Sequence, residues 1–347
     1  MSHHPLHRDL KKVVSPSLTY TLPSSSHASS KVVRSFNPSN GTVFSPEGNS
    51  SILIQIPGIA NTHLNGQASY LAFKFSAAGP GVYYSGCLSS WISRLVVRGS
   101  NGEVIDDINQ YASIHRIMQD VRTDEATQNN QLSIQQGYGT VAQRKAYCAG
   151  KRGNLLLLSS FLRNANLLPL GQMGGFTLEI FLAPSSDVLI TDGGAAGSYG
   201  ISEVQFRAEL LTFNPAIDNA VNAAFRAGKI GIHSPGFTYH SLTSQAITEN
   251  WGIGNLSRSL RQFILVMRKQ STLHNFNKDS LECTAGNISS FGLQIGSKLV
   301  ENITNFSDFY MQLCRSFGFD ISGTLRMQNY STEFGGDGTS FLIGLDL

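Results

Sequence analysis

The sequence is poor in charge and lacks long apolar runs. Of its 347 residues only 14% are Asp, Glu, Lys or Arg, against about 25% in an average soluble domain. No stretch approaches 18 apolar residues and the start has no signal-peptide core, so the sequence predicts neither a membrane-spanning helix nor secretion. With 34 glycines, this composition favours short strands and many turns. It fits an ordinary all-β protein, or one whose surface is largely covered by other copies of itself.

Motifs that carry chemistry are also missing. The four cysteines are far apart and form no CxxC pair, which indicates reduced thiols in an intracellular protein: Cys87, Cys148, Cys283 and Cys314. There is no GxxxxGK[ST], HExxH or GxSxG, which argues against a P-loop nucleotidase, a zinc hydrolase and a serine hydrolase. We therefore predict no enzyme activity, no catalytic residue, no metal site and no cofactor.

Three features that resemble ligand sites are interpreted as structural. The glycine-rich stretch 192–200 precedes a strand rather than a helix and is predicted to be an exposed loop. Trp91 and Trp251 are predicted to be core or interface anchors rather than sugar-binding platforms. Asp106 or Asp107 is predicted to cap a helix that begins there, because short carboxylates accept hydrogen bonds from unpaired N–H groups.

Charge is concentrated at the N-terminus. Residues 1–34 carry a single acidic residue and five basic ones, which are the candidate contacts for an anionic partner: Arg8, Lys11, Lys12, Lys31 and Arg34. The segment has little apolar content, so we predict a basic arm rather than a domain. The arm would touch an anionic partner, either a nucleic acid or the headgroups of a membrane. Alternatively its charge is incidental, or its apolar residues clamp a neighbouring subunit.

Most of the remaining pattern predicts strands. Period-two alternation or short apolar runs between turn residues mark strands at 51–59, 68–77, 91–99, 154–162, 174–184, 202–213, 237–244, 259–270 and 289–303. Helical spacing marks three short helices near 106–121, 215–227 and 304–315. The second of these has Pro215 at its first position and Gly228 after its last turn, which is typical of a short helix.

One passage occurs twice. Residues 104–114 read VIDDINQYASI and residues 299–309 read LVENITNFSDF, so residue class is kept at an offset of 195 positions. The flanking strands and the following helix agree as well. We therefore predict a duplication: an all-β protein of two tandem jelly-roll β-sandwiches with short helices between strands. The predicted organisation is a basic arm at 1–34, a first jelly roll at 35–214, a linker helix at 215–230 and a second jelly roll at 231–347.

The order of these segments resembles the double jelly-roll major capsid proteins of the adenovirus-like lineage of DNA viruses, in particular those of polinton-like viruses, adintoviruses and virophages. The resemblance is carried by 92–120, 161–184, 204–213 and the terminal TSFLIGLDL at 339–347. It departs from the family in length. At a constant offset Thr339–Leu347 would match Arg144–Arg152, so the second roll is either compressed or incomplete.

The resemblance implies a shell protein. Three protomers would form a homotrimer of pseudo-hexagonal outline that binds neighbouring capsomers and a penton or minor capsid protein, building an icosahedral capsid in the virion. The alternative is a β-sandwich module that binds carbohydrate or another ligand. Self-assembly distinguishes the two classes.

Overall fold

The computed structural model describes residues 29–122, 140–163, 167–228, 236–244, 250–254, 260–283, 290–304, 306–317 and 342–346. Within them the strands are β1 (Ser29–Phe36), β2 (Val43–Phe44), β3 (Ser51–Pro57), β4 (Thr62–Ala78), β5 (Tyr83–Tyr84), β6 (Ile92–Gly99), β7 (Val104–Asn109), β8 (Ala149–Leu155), β9 (Leu168–Pro169), β10 (Gly175–Leu182), β11 (Leu189–Ile190), β12 (Ser198–Phe213), β13 (Gln262–Val266), β14 (Phe291–Ile295), β15 (Lys298–Ile303) and β16 (Leu342–Asp346). The α-helices are α1 (Tyr111–Arg122), α2 (Val141–Cys148), α3 (Leu170–Met173), α4 (Ser185–Val188), α5 (Pro215–Arg226) and α6 (Phe306–Phe317). A 3₁₀ turn covers Leu88–Trp91.

The first unit is a sandwich of two antiparallel sheets. One sheet has the strand order β1-β12-β4-β8, with β2 also on β12 and β9 also on β4. The other has the order β3-β10-β6-β7. All the pairs in both sheets are antiparallel. The predicted all-β class is confirmed.

Alternating side chains from both sheets form the core. Ile52, Ile54 and Ile56 of β3 are buried while the residues between them are not, because successive side chains of a strand point to opposite faces. Phe73 of β4 meets Trp91 edge-to-face at 5.0 Å between ring centroids, a favoured geometry for aromatic pairs. Trp91 is therefore a core anchor, as predicted.

Two predicted strands differ from the structure. The run at 154–162 leaves the strand at Leu155 and continues as a turn, in which Ser159 is buried and Leu156 is exposed. A continuous apolar run carries no period, so it cannot distinguish a strand from a packed turn. Residues 237–244 form no strand. Tyr239 and Leu242 in that stretch are exposed, so its apolar side chains bury too little surface to hold a pairing.

The helix predicted after the first unit is confirmed as α5. The Asn214 side chain accepts a hydrogen bond from the Ala216 N–H at 3.0 Å, and Pro215 occupies the first helical position. Gly228 follows with φ of +67°. The side-chain cap, the preset φ of proline and the left-handed glycine together fix both ends of the helix.

The two copies of the repeated passage have the same local structure. The second helix lies 195 residues after the first at both ends, from Tyr111 to Phe306 and from Arg122 to Phe317. Each copy is a hairpin followed by a helix, β6-β7-α1 and β14-β15-α6. Each hairpin has one irregularity, where Ile105 and, 195 residues later, Val300 are skipped in the pairing register.

Burial also agrees at two equivalent core positions. Ile108 and Ile303 have no exposed surface, and Met118 and Leu313 are buried at 7% and 0% exposure, whereas Arg116 is buried and its equivalent Met311 is 42% exposed. The side chain of Phe306, predicted to match the buried Tyr111, lies outside the described residues. The duplication is therefore present in register, in helix boundaries and in burial at two core positions.

The surroundings of the two helices differ. Helix α1 packs beside β6 and the turn at Leu88–Trp91, whereas α6 packs over β16, where Gly344 lies beneath Leu313 and Ser316. Strand β16 pairs with β13 as β10 pairs with β3. The constant offset predicted that this strand matches the region of β8, but β8 pairs with β4 of the other sheet whereas β16 pairs with β13 beneath α6.

Of the second unit, the described residues form two separate two-stranded sheets, β13-β16 and β14-β15. Its core is a small apolar cluster with two members contributed by α1 of the first unit: Ile117, Val121, Ile303, Leu313, Ile343 and Leu345. The two copies therefore share a core.

Candidate assembly surface

The predicted arm residues fall into two groups. Arg8, Lys11 and Lys12 lie outside the described residues. Lys31 and Arg34 lie within β1, which pairs with β12 over its whole length from Ser29 opposite Phe213. This strand therefore begins inside the segment predicted as an arm. The pairing with β12 orders this polar stretch, and a composition argument cannot foresee a partner strand so distant in sequence.

Lys31 and Arg34 do not form one anion-binding cluster. Lys31 Nζ lies 2.6 Å from Oε2 of Glu209, which lies on the same face of the sheet and whose pKa is lowered by this lysine. Arg34 is opposite Ala208 on the other face and stacks over the Phe36 ring at 5.3 Å. Since exposed ion pairs contribute little stability, the pair with Glu209 mainly fixes where the lysine charge lies.

The outer edge of β1 is a candidate assembly surface. Within the described part of the chain, β1 is the last strand of its sheet, and nothing pairs with its second edge. Val32 and Val33 in its middle are 57% and 56% exposed. A long exposed edge with apolar side chains is a template for pairing with another chain.

A joint connects the two units. Segment 270–283, which follows β13, lies against the first sandwich, with Asp279 at its centre. The Asp279 carboxylate accepts hydrogen bonds from the Ser85 hydroxyl and from the Gly86 backbone N–H, the latter at 3.1 Å. Nη1 of Arg116 in α1 lies 3.8 Å from the same carboxylate. The negative charge of Asp279 in the second unit is therefore stabilised by hydrogen-bond donors and a guanidinium of the first unit.

Gly86 is required by this arrangement. Its φ is +57°, in the left-handed region, and a Cβ at this position would lie 2.1 Å from Nη1 of Arg116. Glycine is the residue that combines a left-handed conformation with so close an approach. Its N–H is thereby aimed at Asp279 while Arg116 occupies the space beside it.

A second set of bonds extends the joint. The Ser280 hydroxyl donates to the Asp187 carbonyl at 2.5 Å, and the His274 backbone N–H donates to the Asp187 carboxylate at 2.8 Å. The Thr191 N–H donates to the Phe276 carbonyl at 2.8 Å. Sequence analysis did not single out any of these residues. The available signal was local: Asp279 accepts from the Leu281 N–H two residues on, which is an Asx-turn pattern.

The acidic pair predicted as a helix cap has another role. Asp106 and Asp107 lie in β7, and the helix begins after them at Tyr111, so the predicted cap is wrong. Asp107 forms a bidentate pair with Arg94, at 2.7 and 2.5 Å. Asp106 points inward and accepts from the Ser159 hydroxyl at 2.7 Å. Burial raises the pKa of Asp106, although the hydrogen bonds to its carboxylate oppose this shift.

The buried face of α1 carries a histidine. His115 stacks on Tyr111 at 5.7 Å, and its Nδ1 lies 3.0 Å from the Ser89 hydroxyl. Burial lowers the pKa of His115 to about 4, with a further contribution from the charge of Arg163. The neutral imidazole therefore fastens the helix to the turn at Leu88–Trp91. Enclosed among apolar neighbours, it offers no access to a substrate.

A second histidine lies beneath α5. His63 of β4 lies with Nε2 3.9 Å from the Asp218 carboxylate, and both side chains are buried. Burial lowers the pKa of His63, and the charge of Asp218 only partly opposes this. The contact is therefore one between a neutral imidazole and a carboxylate, despite its ion-pair distance. It positions α5 on the outer face of the first sandwich.

The described residues contain no group of three or more His, Cys, Asp or Glu side chains arranged to hold a metal ion. None of the helices that the structure describes is both long and apolar enough to cross a bilayer. The four cysteines are buried and form no disulfide.

No protein-family model matches the chain, and no curated protein matches it. Among solved structures the chain is similar to the Faustovirus major capsid protein, at 9% sequence identity and a TM-score of 0.42. That match covers 63% of this chain and 60% of the capsid protein, so the chain spans less than two thirds of that protein's length.

Proposed function

We propose that this protein is a major capsid protein that trimerises and builds an icosahedral viral shell, and that it resides in the virion. The observation that carries the proposal is the duplication: one chain holds two copies of a hairpin, an irregularity and a helix that agree in register and in burial at two core positions. Three such chains present six similar units about a threefold axis. This is the pseudo-hexagonal outline that the double jelly-roll resemblance implies.

In the proposed trimer the outer edge of β1 contacts a different surface of the next copy, so the interface is heterologous. Such heterologous contacts close into rings when the rotation permits.

The same proposal assigns the remaining partners. Neighbouring capsomers and a penton or minor capsid protein would contact the trimer at its periphery. Arg8, Lys11 and Lys12 would reach an anionic partner beneath the shell, either packaged nucleic acid or the headgroups of an internal membrane. A few cations give a salt-sensitive attraction of about 1 kcal/mol each near an anionic bilayer.

Native mass spectrometry of the purified full chain tests the proposal, with negative-stain microscopy to observe larger arrays. We expect a species of three 37.6 kDa protomers and flat or curved arrays at high concentration. An obligate interface of this kind commonly buries more than about 2,000 Å². A protein that stays monomeric at high concentration, or that binds a glycan array without assembling, would instead be the β-sandwich binding module.

A further inference from the structure

Cations without acidic partners among the described residues border β8, the edge strand of the sheet β1-β12-β4-β8. Arg152 and Arg207 lie on the outer face of that sheet, whereas Lys151 points to the other side, over Tyr147 of helix α2, which also carries Lys145. We call this group the basic platform, and its members are Lys145, Lys151, Arg152 and Arg207. Among the described residues none of the four forms an ion pair with a carboxylate. Other cations of the outer face differ: Lys74, for example, pairs with Glu203 at 3.5 Å. Glu209 and Glu203 of β12 are paired with Lys31 and Lys74, so within the described residues the platform cations have no paired carboxylate.

Two guanidinium groups of the platform are held together by one neutral acceptor. Arg152 of β8 and Arg207 of β12 both donate to Oε1 of Gln205, at 3.2 and 3.5 Å. Ala72, the residue opposite Gln205 on the intervening strand β4, has no exposed surface. Two like charges share an amide oxygen where a carboxylate would neutralise them. This leaves a pair of planar donors available to an external anion.

Aromatic rings border the platform. The guanidinium of Arg144 and the ammonium of Lys145 lie 5.0 and 5.8 Å from the centroid of the Tyr83 ring. Lys151 lies 5.6 Å from that of Tyr147. Such contacts hold cations by the quadrupole of the ring without cancelling their charge. They orient the lysines while preserving their attraction for an anion.

The sequence around the platform shows the same bias. Between Glu125 and Glu179 there is no acidic residue, while five basic residues occur in that interval: Arg144, Lys145, Lys151, Arg152 and Arg163. The chain as a whole is nearly balanced, with 26 basic and 23 acidic residues. The positive charge of the folded first unit is therefore concentrated locally.

We propose that the basic platform binds the phosphodiester backbone of a nucleic acid. Planar guanidinium groups match phosphate oxygens in a bidentate fork, and several cations in one region displace counterions from a polyanion. Tyr70 is directly opposite Arg207 on the same face of the sheet, where a ring can stack on an unpaired base. This second charged surface is independent of the N-terminal arm and of the shell role.

The test compares three variants of the full chain for binding to a fluorescent 30-nucleotide single-stranded DNA at several salt concentrations. The platform variant is Lys145→Gln/Lys151→Gln/Arg152→Gln. The matched control, Arg226→Gln/Arg261→Gln/Lys278→Gln, removes the same charge from exposed positions elsewhere. The arm variant is Arg8→Gln/Lys11→Gln/Lys12→Gln. Circular dichroism melts confirm that each variant is folded.

We expect the platform variant to bind the DNA about a hundredfold more weakly at 0.1 M salt. The slope of log K against log salt concentration should become shallower by about 2, because each phosphate contact on a single strand contributes about 0.7 to that slope. The matched control should keep wild-type affinity. Equal losses in the platform variant and the control would overturn the proposal in favour of net charge alone. Loss only in the arm variant would also overturn it, as would platform-dependent binding to phosphatidylserine vesicles without DNA binding.

Discussion

At the scale of single residues, the buried histidines link stability to pH. His115 titrates near 6.5 when unfolded, and burial lowers its pKa to about 4 in the folded protein. As pH falls from 6.5 to 4, His115 becomes protonated in the unfolded chain but stays neutral in the folded chain. The free energy of unfolding therefore falls over this window and is constant below it. The depressed pKa of His63 acts in the same direction, and the raised pKa of Asp106 acts in the opposite one.

We predict that His115→Gln weakens this pH dependence. A shift from 6.5 to about 4 corresponds to roughly 3 kcal/mol of stability lost between pH 6.5 and 4. Between pH 6.5 and 4 the free energy of unfolding of the variant should therefore fall by up to about 3 kcal/mol less than that of the wild type. A smaller pH dependence should remain because His63 is still present. Urea unfolding at pH 7.0 and 4.5 measures the difference. Parallel losses in wild type and variant would contradict the buried neutral imidazole.

Asp279 is the residue on which the joint depends most. Asp279→Asn keeps the shape of the side chain but turns an NH₂ group toward N–H and O–H donors. It should lower the free energy of unfolding by about 2–3 kcal/mol. Asp346→Asn, at an exposed carboxylate of β16, is the control and should change stability by less than about 0.5 kcal/mol. Urea denaturation compares the two, and equal small effects would mean that the joint contributes no stability.

At the scale of elements, the duplication allows a matched experiment. Ile108 and Ile303 occupy equivalent positions and are fully buried, whereas the equivalent pair Val104 and Leu299 is 51% and 58% exposed. We predict that Ile108→Ala and Ile303→Ala each destabilise by about 2–5 kcal/mol. Val104→Ala and Leu299→Ala should each cost less than about 0.5 kcal/mol. Unequal effects within a pair, measured by chemical denaturation, would show that the copies are only superficially alike.

The first helix allows a second comparison of burial with hydrogen bonding. Tyr111 is fully buried, and its hydroxyl accepts from the Leu158 N–H at 2.7 Å. Tyr111→Ala should cost roughly 3–5 kcal/mol, as expected when a large aromatic site is emptied. Tyr111→Phe leaves the N–H of Leu158 without its acceptor and should cost only about 1–2 kcal/mol. Thermal and urea unfolding measure the loss of stability in both variants. Equal losses in Tyr111→Ala and Tyr111→Phe would contradict the packing role of the ring.

The elements also show what the sequence can predict. Helix α5 was predictable because Asn214, Pro215 and Gly228 act locally on the backbone. The strand at 174–184 was predictable because its alternation reflects burial on one face. Asp106 was misassigned because a carboxylate before a helical pattern looks the same whether it caps the helix or turns into the core. The joint arises from residues distant in sequence, so local patterns do not reveal it. The acid-free interval that holds Lys145, Lys151 and Arg152 is visible in the sequence, but nothing local shows that Arg207 lies beside Arg152.

At the scale of the whole molecule, the outer edge of β1 should govern association. We predict that Val32→Lys/Val33→Lys prevents trimers from forming, because charged edge residues discourage strand addition. Both positions are more than half exposed, so the protomer should keep its circular dichroism spectrum and stability. Native mass spectrometry measures the effect, and Val104→Lys on β7 is the control. Trimers that persist in the double variant would place the interface elsewhere.

The pairing of β1 with β12 has a consequence for synthesis on the ribosome. Ser29–Phe36 bonds to a strand that ends at Phe213, so β1 has no partner until β12 has left the exit tunnel. At translation rates of about 5–20 residues per second, this wait is on the order of ten to thirty seconds. During that interval the edge with Val32 and Val33 is open on both sides, on every nascent chain of a polysome. A chaperone that shields this strand during synthesis would therefore protect the yield of folded chain more than the stability of the finished protomer.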